Sequence, residues 1–138
     1  MARSGPDRLY HFTCAHGARR IGRHNCLIIP QIEHPLLHIK VSWFTELAEP
    51  DRTATGLTHN FTRCDRMAFR YVVTDLSRCL PWPGSPERRH ASRHGEPGAL
   101  ADLESEGDPE HWWISGCAVA AQFDADYATA RIHSEVAF

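Results

Sequence analysis

A chain of 138 residues with a formal net charge of -2 presents no global field that would draw it to nucleic acid or to an anionic lipid surface, so any nucleic-acid contact must come from a local patch. With 42% hydrophobic and 23% charged residues it has the composition of one ordinary globular domain, large enough to bury about two thirds of its unfolded surface. No apolar run approaches the roughly 20 residues needed to span a bilayer, and no apolar core of the kind a secretory leader carries follows the basic residues of the first eight, Arg3 and Arg8; a cytoplasmic protein is the expectation. The cysteines, Cys14, Cys26, Cys64, Cys79 and Cys117, are odd in number and scattered, which suits free thiols in a reducing compartment rather than a disulfide framework.

Residues 1–8 are expected to form an arm without regular structure, with a single domain over 9–138. In Leu9-Tyr10-His11-Phe12-Thr13 the alternation predicts a strand with His11 and Thr13 on one face and both aromatics on the other. Ala15, Ala18, Arg19 and Ile21 then suit a short helix stopping near Gly22 and Asn25, and Cys26 to Pro30 reads as the next strand. Gln31 to Leu37 reads as a loop. From His38 to Thr45, Ile39, Val41 and Trp43 alternate with His38, Lys40, Ser42 and Phe44, which predicts a half-buried strand. Glu46 to Thr58 is read as a loop, and Asn60-Phe61-Thr62 as a chance match to a glycosylation acceptor.

Met67 to Thr74 gives the strongest strand signal, and Arg70 within it must be paired or face a cleft. Pro81 to Pro86 predicts a break, and Glu87 to Gly98 a polar surface excursion. Ala99 to Glu106 predicts a short helix resting on Leu100 and Leu103 and stopped at Gly107. His111 to Val119 predicts one buried strand with a bulge at Gly116, and the tail carrying Phe123, Tyr127, Ile132 and Val136 a last strand or helix.

The order Leu-Tyr-His-x-Thr, helix, short strand ending in Pro, then a strand ending Trp43-Phe44-Thr45 resembles the ADP-ribosyltransferase-like fold over Leu9 to Thr45. That group includes poly(ADP-ribose) polymerases, RNA 2′-phosphotransferases and toxins that modify nucleic acid. The resemblance implies an α+β fold with a small split antiparallel sheet and short helices, and NAD as the ligand. It implies that His11, with Thr13 beside it, holds the adenine-side ribose and that Trp43, Phe44 and Thr45 stand where the second motif lies, without its usual Tyr. Breaking the glycosidic bond of NAD builds oxocarbenium character, which asks for a carboxylate beside the reacting ribose. Glu104, Glu106 and Glu110 are the candidates, Glu104-Ser105-Glu106 matching the Glu-x-Glu of one branch, though that branch's Ser-Thr-Ser element is absent. Arg70 could hold a phosphate. The activity implied is transfer of ADP-ribose to a macromolecule, protein or nucleic acid, or hydrolysis of NAD; a non-catalytic nucleotide-binding member fits the same residues.

Two readings from other classes stand beside it. Cys14-Ala15-His16 and His24-Asn25-Cys26 form a mirrored pair that could close a tetrahedral zinc site, although one intervening residue is shorter than the usual ligand spacing. A protein-interaction domain would instead show an exposed aromatic patch at Trp82 or in the Pro-rich loop.

Overall fold

The computed structural model describes residues 5–50 and 66–127, and shows an α+β protein with a seven-stranded antiparallel sheet and few short helices. Strand β1, Leu9–Thr13, is followed by α1, Ala15–Ile21. Gly22 ends this helix at a φ of 85°, its N–H donating to the Ala18 carbonyl at 2.8 Å, a backbone shape that glycine adopts without strain. Asn25, also at positive φ, turns the chain into β2, Cys26–Ile28.

The segment before β3 departs from the alternating pattern. Only Ser42–Thr45 forms β3. Upstream, the His34 ring accepts hydrogen bonds from the Leu36 and Leu37 N–H groups at 3.2 and 3.1 Å, and His38 takes a φ of 57°. These local side-chain bonds give the backbone an alternative to the ladder, so the chain loops here and drives Leu37 into the interior.

Strand β4, Phe69–Val73, matches the expected strand. A two-residue β5, Leu80–Pro81, lies at the sheet edge, where a proline is tolerated because no N–H is needed on that side. The expected surface excursion is instead a helix, α2, Pro86–His94. Ser85 caps it by accepting from the Arg88 N–H at 3.0 Å, Pro86 occupies the first turn, and Glu87 favours the positive end of the helix dipole. Helix α3, Ala99–Ser105, runs as its composition suggests, with Leu100 and Leu103 against the core. A 3-10 turn, Pro109–His111, leads into β6, Trp112–Ser115, and β7, Val119–Phe123, closes the sheet. The single bulged strand expected over His111 to Val119 is therefore two strands parted by Gly116 to Ala118.

The strand order is β2-β7-β4-β1-β3-β6-β5. Three residues connect β6 to β7, so the chain spans at most roughly 14 Å between them. In a flat sheet, strands four places apart would stand roughly 19 Å from each other. The sheet must fold towards itself, and the place is marked: β1 pairs with β4 over five residues but with β3 only at Tyr10 opposite Thr45. Two wings, β2-β7-β4-β1 and β3-β6-β5, meet at this joint.

The inward face carries one core, in which Leu9, Tyr71 and Val73 of the first wing and Phe44 of the second pack with Cys26, Ile28 and Val119, and Ala18 and Ile21 of α1 cover them. The outward face of the second wing carries the other, built on Trp82, Trp112, Ile114, Leu37 and Ile39 under α2 and α3. Trp82 is fully buried, so its indole N–H needs a partner; it donates to Glu104 at 2.7 Å, and Arg88 grips the same carboxylate at 2.7 and 2.8 Å. The aromatic patch that an interaction domain would expose at Trp82 is thus interior. The exposed large apolar side chains among the described residues are aliphatic: Leu27, Ile29, Ile32, Leu36 and Leu80.

Cys64, the glycosylation-like Asn60-Phe61-Thr62, most of the Glu46 to Thr58 loop, and Ile132 and Val136 lie outside the described residues, as does the start of the expected N-terminal arm. No helix among the described residues is long and apolar enough to cross a membrane.

Gly17 of α1 lies against Thr13 at the end of β1, and a Cβ there would collide with Oγ1 of Thr13. Gly17→Ala should therefore cost about 1–3 kcal/mol by overpacking and lower the melting temperature by several degrees, read by thermal unfolding, whereas alanine at the neighbouring exposed Arg20 should leave it nearly unchanged.

Candidate functional site

His11 stands at the joint. In β1 it faces inward beside Tyr71, its partner across β4, and its ring lies 5.5 Å from that of Phe44 on the other wing. Beyond the single Tyr10–Thr45 pair the two strands part, and Nδ1 of His11 bonds the Trp43 carbonyl at 2.7 Å where a neighbouring strand would otherwise supply an N–H. A carbonyl only accepts, so Nδ1 carries the hydrogen and Nε2 keeps the lone pair. Burial pushes the imidazole below its ordinary pKa, against the weaker opposing effect of the Trp43 bond.

A second cluster forms where β3 ends. Trp113 stands opposite Phe44 in the β3–β6 register and so shares the inward face; its indole N–H donates to Glu46 Oε1 at 2.8 Å. His111 Nδ1 lies 3.0 Å from Glu46 Oε2, and its Nε2 lies 3.5 Å from Asp108. With a carboxylate at each nitrogen the imidazolium is favoured, Glu46 contributing most, and the His111 pKa rises. Asp108 and Glu110 are close enough to share a proton, which raises the pKa of Asp108 and lowers that of Glu110. Glu46 was missed in the sequence because it sits in a stretch that reads as loop. The available signal was an acidic residue directly after a strand of aromatic residues, whose significance depends on the distant His111 and Trp113.

The structure redistributes the other residues singled out from sequence. Because Phe12 faces Arg70 and His11 faces Tyr71, Arg70 lies on the opposite face of the sheet from His11, and the two cannot grip one ligand from the same side. This corrects the expectation that they act together. Arg70 is also occupied: Nε and Nη2 donate to Asp124 at 3.0 and 2.7 Å, Nη1 donates to the Ala48 carbonyl at 2.7 Å, and the guanidinium lies between the rings of Tyr10 and Tyr127. Of its two alternatives, paired or facing a cleft, it is paired.

Trp43 faces outward, packed on Trp82 and Trp112 at 4.8 and 5.9 Å between ring centres. Thr45 is buried and accepts from the Leu47 N–H at 3.2 Å, while Thr13 lies under Gly17. Of the second motif, Phe44 meets His11 with its ring and Trp43 with its backbone carbonyl, while the side chains of Trp43 and Thr45 lie elsewhere. Among the carboxylates, Glu104 is tied to Arg88 and Trp82, which hold its pKa below the usual range, Arg88 first; Glu106 is exposed at the end of α3, and Glu110 is exposed in the 3-10 turn. The Glu-x-Glu spacing thus places one member under the second core and the other in solvent.

The mirrored Cys and His pairs do not converge. Cys26 is buried, with its thiol 3.4 Å from the Gly22 carbonyl, His24 is exposed, and Cys14 Sγ lies 4.0 Å from His16 Nδ1. Among the described residues the one convergent group of His, Cys and carboxylate atoms is Asp108, Glu110 and His111, within 4.8 Å of one another. Both His111 nitrogens are engaged by carboxylates, so the imidazole there serves the Glu46 cluster.

A surface depression of about 360 Å³ lies between α1 and the inward ends of β4 and β7, and another, of about 230 Å³, lies by Leu27 and Arg78. No protein-family model matches the chain, and comparison with curated proteins and with solved structures gives no match either.

The two histidines bias stability in opposite directions with pH. His11 has a folded pKa below the ordinary 6.5, so the stability of its neutral form is present above 6.5 and is lost as pH falls through the folded value. His111 has a raised folded pKa, so its contribution is complete below 6.5 and is lost as pH rises through that raised value. In an NMR titration His111 should therefore have a midpoint above 6.5 that moves back towards it in Glu46→Gln, and His11 a midpoint below 6.5 that does not respond to that change.

Proposed function

We propose that this protein is an NAD-dependent ADP-ribosyltransferase of the ADP-ribosyltransferase-like fold, binding the dinucleotide on the inward face at the joint between the wings and passing ADP-ribose to a macromolecular acceptor, or to water. The observation that carries the reading is the placement of His11: a strand-borne imidazole, fixed in one tautomer by the Trp43 carbonyl, beside an aromatic ring where the β1–β3 ladder stops after a single pair. An Nε2 that keeps its lone pair suits a ribose hydroxyl as donor. The sheet that folds towards itself at a single pair supports the fold assignment.

In this reading the carboxylate moves from the sequence candidates to Glu46. It lies on the His11 side of the second wing, and Trp113 and His111 orient it while each oxygen keeps a second acceptor site. As glycosidic cleavage develops positive charge at the ribose, a pre-oriented anion stabilises the transition state more than the ground state. Glu46 would supply that charge or hold the reacting ribose hydroxyl, and Phe44 would cover the apolar side of the ligand next to His11. His111 sets the orientation of Glu46 through its bond to Oε2. The non-catalytic alternative retains the His11 and Phe44 contacts and dispenses with Glu46.

Calorimetric titration with NAD separates the two. Wild-type protein should bind saturably, and His11→Ala should weaken binding tenfold or more, about 1.4 kcal/mol. Glu46→Gln should leave the affinity within a few-fold but reduce nicotinamide release by 10²-fold or more, about 2.7 kcal/mol of transition-state stabilisation. No binding by the wild type would remove NAD as the ligand; binding without turnover in the wild type would leave the non-catalytic form of the reading.

A further inference from the structure

We infer that the depression between α1 and the ends of β4 and β7 is a binding site for single-stranded nucleic acid, taking one unstacked base with its flanking phosphates. Its inner wall is formed by Phe69, Tyr71 and Phe123, and its rim by Arg19 and Arg23 from the end of α1 and the turn after it. The Phe69 and Phe123 rings lie 6.2 Å apart, and the Arg23 guanidinium lies 5.0 Å from the centre of the Phe123 ring. Tyr71 anchors this wall: its hydroxyl donates to the Ala18 and Gly22 carbonyls at 3.2 and 2.7 Å, and burial pushes its pKa up to about 12.

The charge around this depression contrasts with that of the whole chain. Arg19, Arg20 and Arg23 fall in a stretch between Asp7 and Glu33 that contains no acidic residue, although the net charge of the protein is -2. Arg19, Arg20 and Arg23 are exposed, and no carboxylate among the described residues pairs with any of them. Unpaired guanidinium groups at the rim of an aromatic-walled depression match a nucleotide unit, whose phosphate takes the charge and whose base takes the ring face. An acidic peptide would use the arginines and leave the rings unoccupied. A duplex hides its base faces in the stack and would use the arginines alone.

The depression also opens beside the joint. Phe69 and Tyr71 stand directly opposite Thr13 and His11 in the β1–β4 register, on the same face of the sheet. A strand lying there would bring an acceptor base or phosphate next to the proposed dinucleotide site. As a statement about the acceptor this rests on the NAD reading; as a binding site it does not, so its test contains no NAD.

Fluorescence anisotropy with a labelled single-stranded oligonucleotide of about 12 residues is the measurement. Wild-type protein should bind it at least tenfold more tightly than a duplex of the same length and than free AMP. The double variant Arg19→Ala, Arg23→Ala, both at exposed positions, should weaken binding tenfold or more and reduce the slope of log K against log salt by about 1.4, the loss of two single-strand phosphate contacts. Phe69→Leu should weaken binding with the salt slope unchanged, separating stacking from charge. Absence of binding, equal affinity for duplex, or full retention by the double variant would overturn the inference, and competition by AMP at equal affinity would reassign the site to a free nucleotide. NAD binding without oligonucleotide binding would sink this inference alone, and the converse would sink only the NAD reading.

Discussion

The arrangement of the molecule depends on the joint where β1 leaves β3. A full ladder there would continue the sheet flat, and the three-residue link from β6 to β7 could not reach. One backbone pair, Tyr10 with Thr45, holds the wings, and the His11 side chain substitutes for the backbone donor that the Trp43 carbonyl would otherwise lack. The histidine thus has a structural task of its own. Its bond to the carbonyl fixes its orientation and leaves Nε2 as the nitrogen with a free lone pair.

From that joint the two faces acquire different tasks. The outward side of the second wing is filled by tryptophans and sealed by α2 and α3 through the Arg88, Glu104 and Trp82 contacts. On the first wing the outward side holds Arg70 between two tyrosines with Asp124 as its counter-ion. The inward side holds the imidazole, the Phe44 ring and the Glu46 cluster, with the basic rim of α1 at one end. Both sides of the sheet hold paired charge, Arg70 with Asp124 outward and Glu46 with His111 inward, and the arginines of α1 without a carboxylate partner among the described residues border the inward side.

What the sequence made legible was local. β1, α1, β4 and α3 each announce themselves by period and by a stopping residue, and Gly22 and Asn25 end α1 as their backbone preferences require. Where side chains compete with the backbone, period misleads: the alternation from His38 passes through a segment in which the His34 ring captures two N–H groups. Helix α2 was readable from Ser85-Pro86-Glu87, a capping serine, a first-turn proline and an acidic residue, but its polar composition masked it. The parting of β6 from β7 could not be read at all, because the partners of each lie elsewhere in the chain. The same applies to the candidate site. His11 was visible from its strand, but the face on which Arg70 lies relative to it is decided by a register between segments some sixty residues apart, and Glu46 gains meaning only beside His111 and Trp113.

The two wings are interleaved in the chain. One draws its strands from the beginning, middle and end of the described residues; the other takes residues 42–45, 80–81 and 112–115 from the intervals between. Neither wing can therefore be excised, exchanged or folded as a contiguous module, and a nascent chain cannot complete the second wing before β6, Trp112–Ser115, or the first before β7, Val119–Phe123. The joint itself has the opposite character: the Tyr10–Thr45 pair and the His11–Trp43 bond lie within residues 10–45, so the seam between the wings is present in the chain long before the strands that complete either of them.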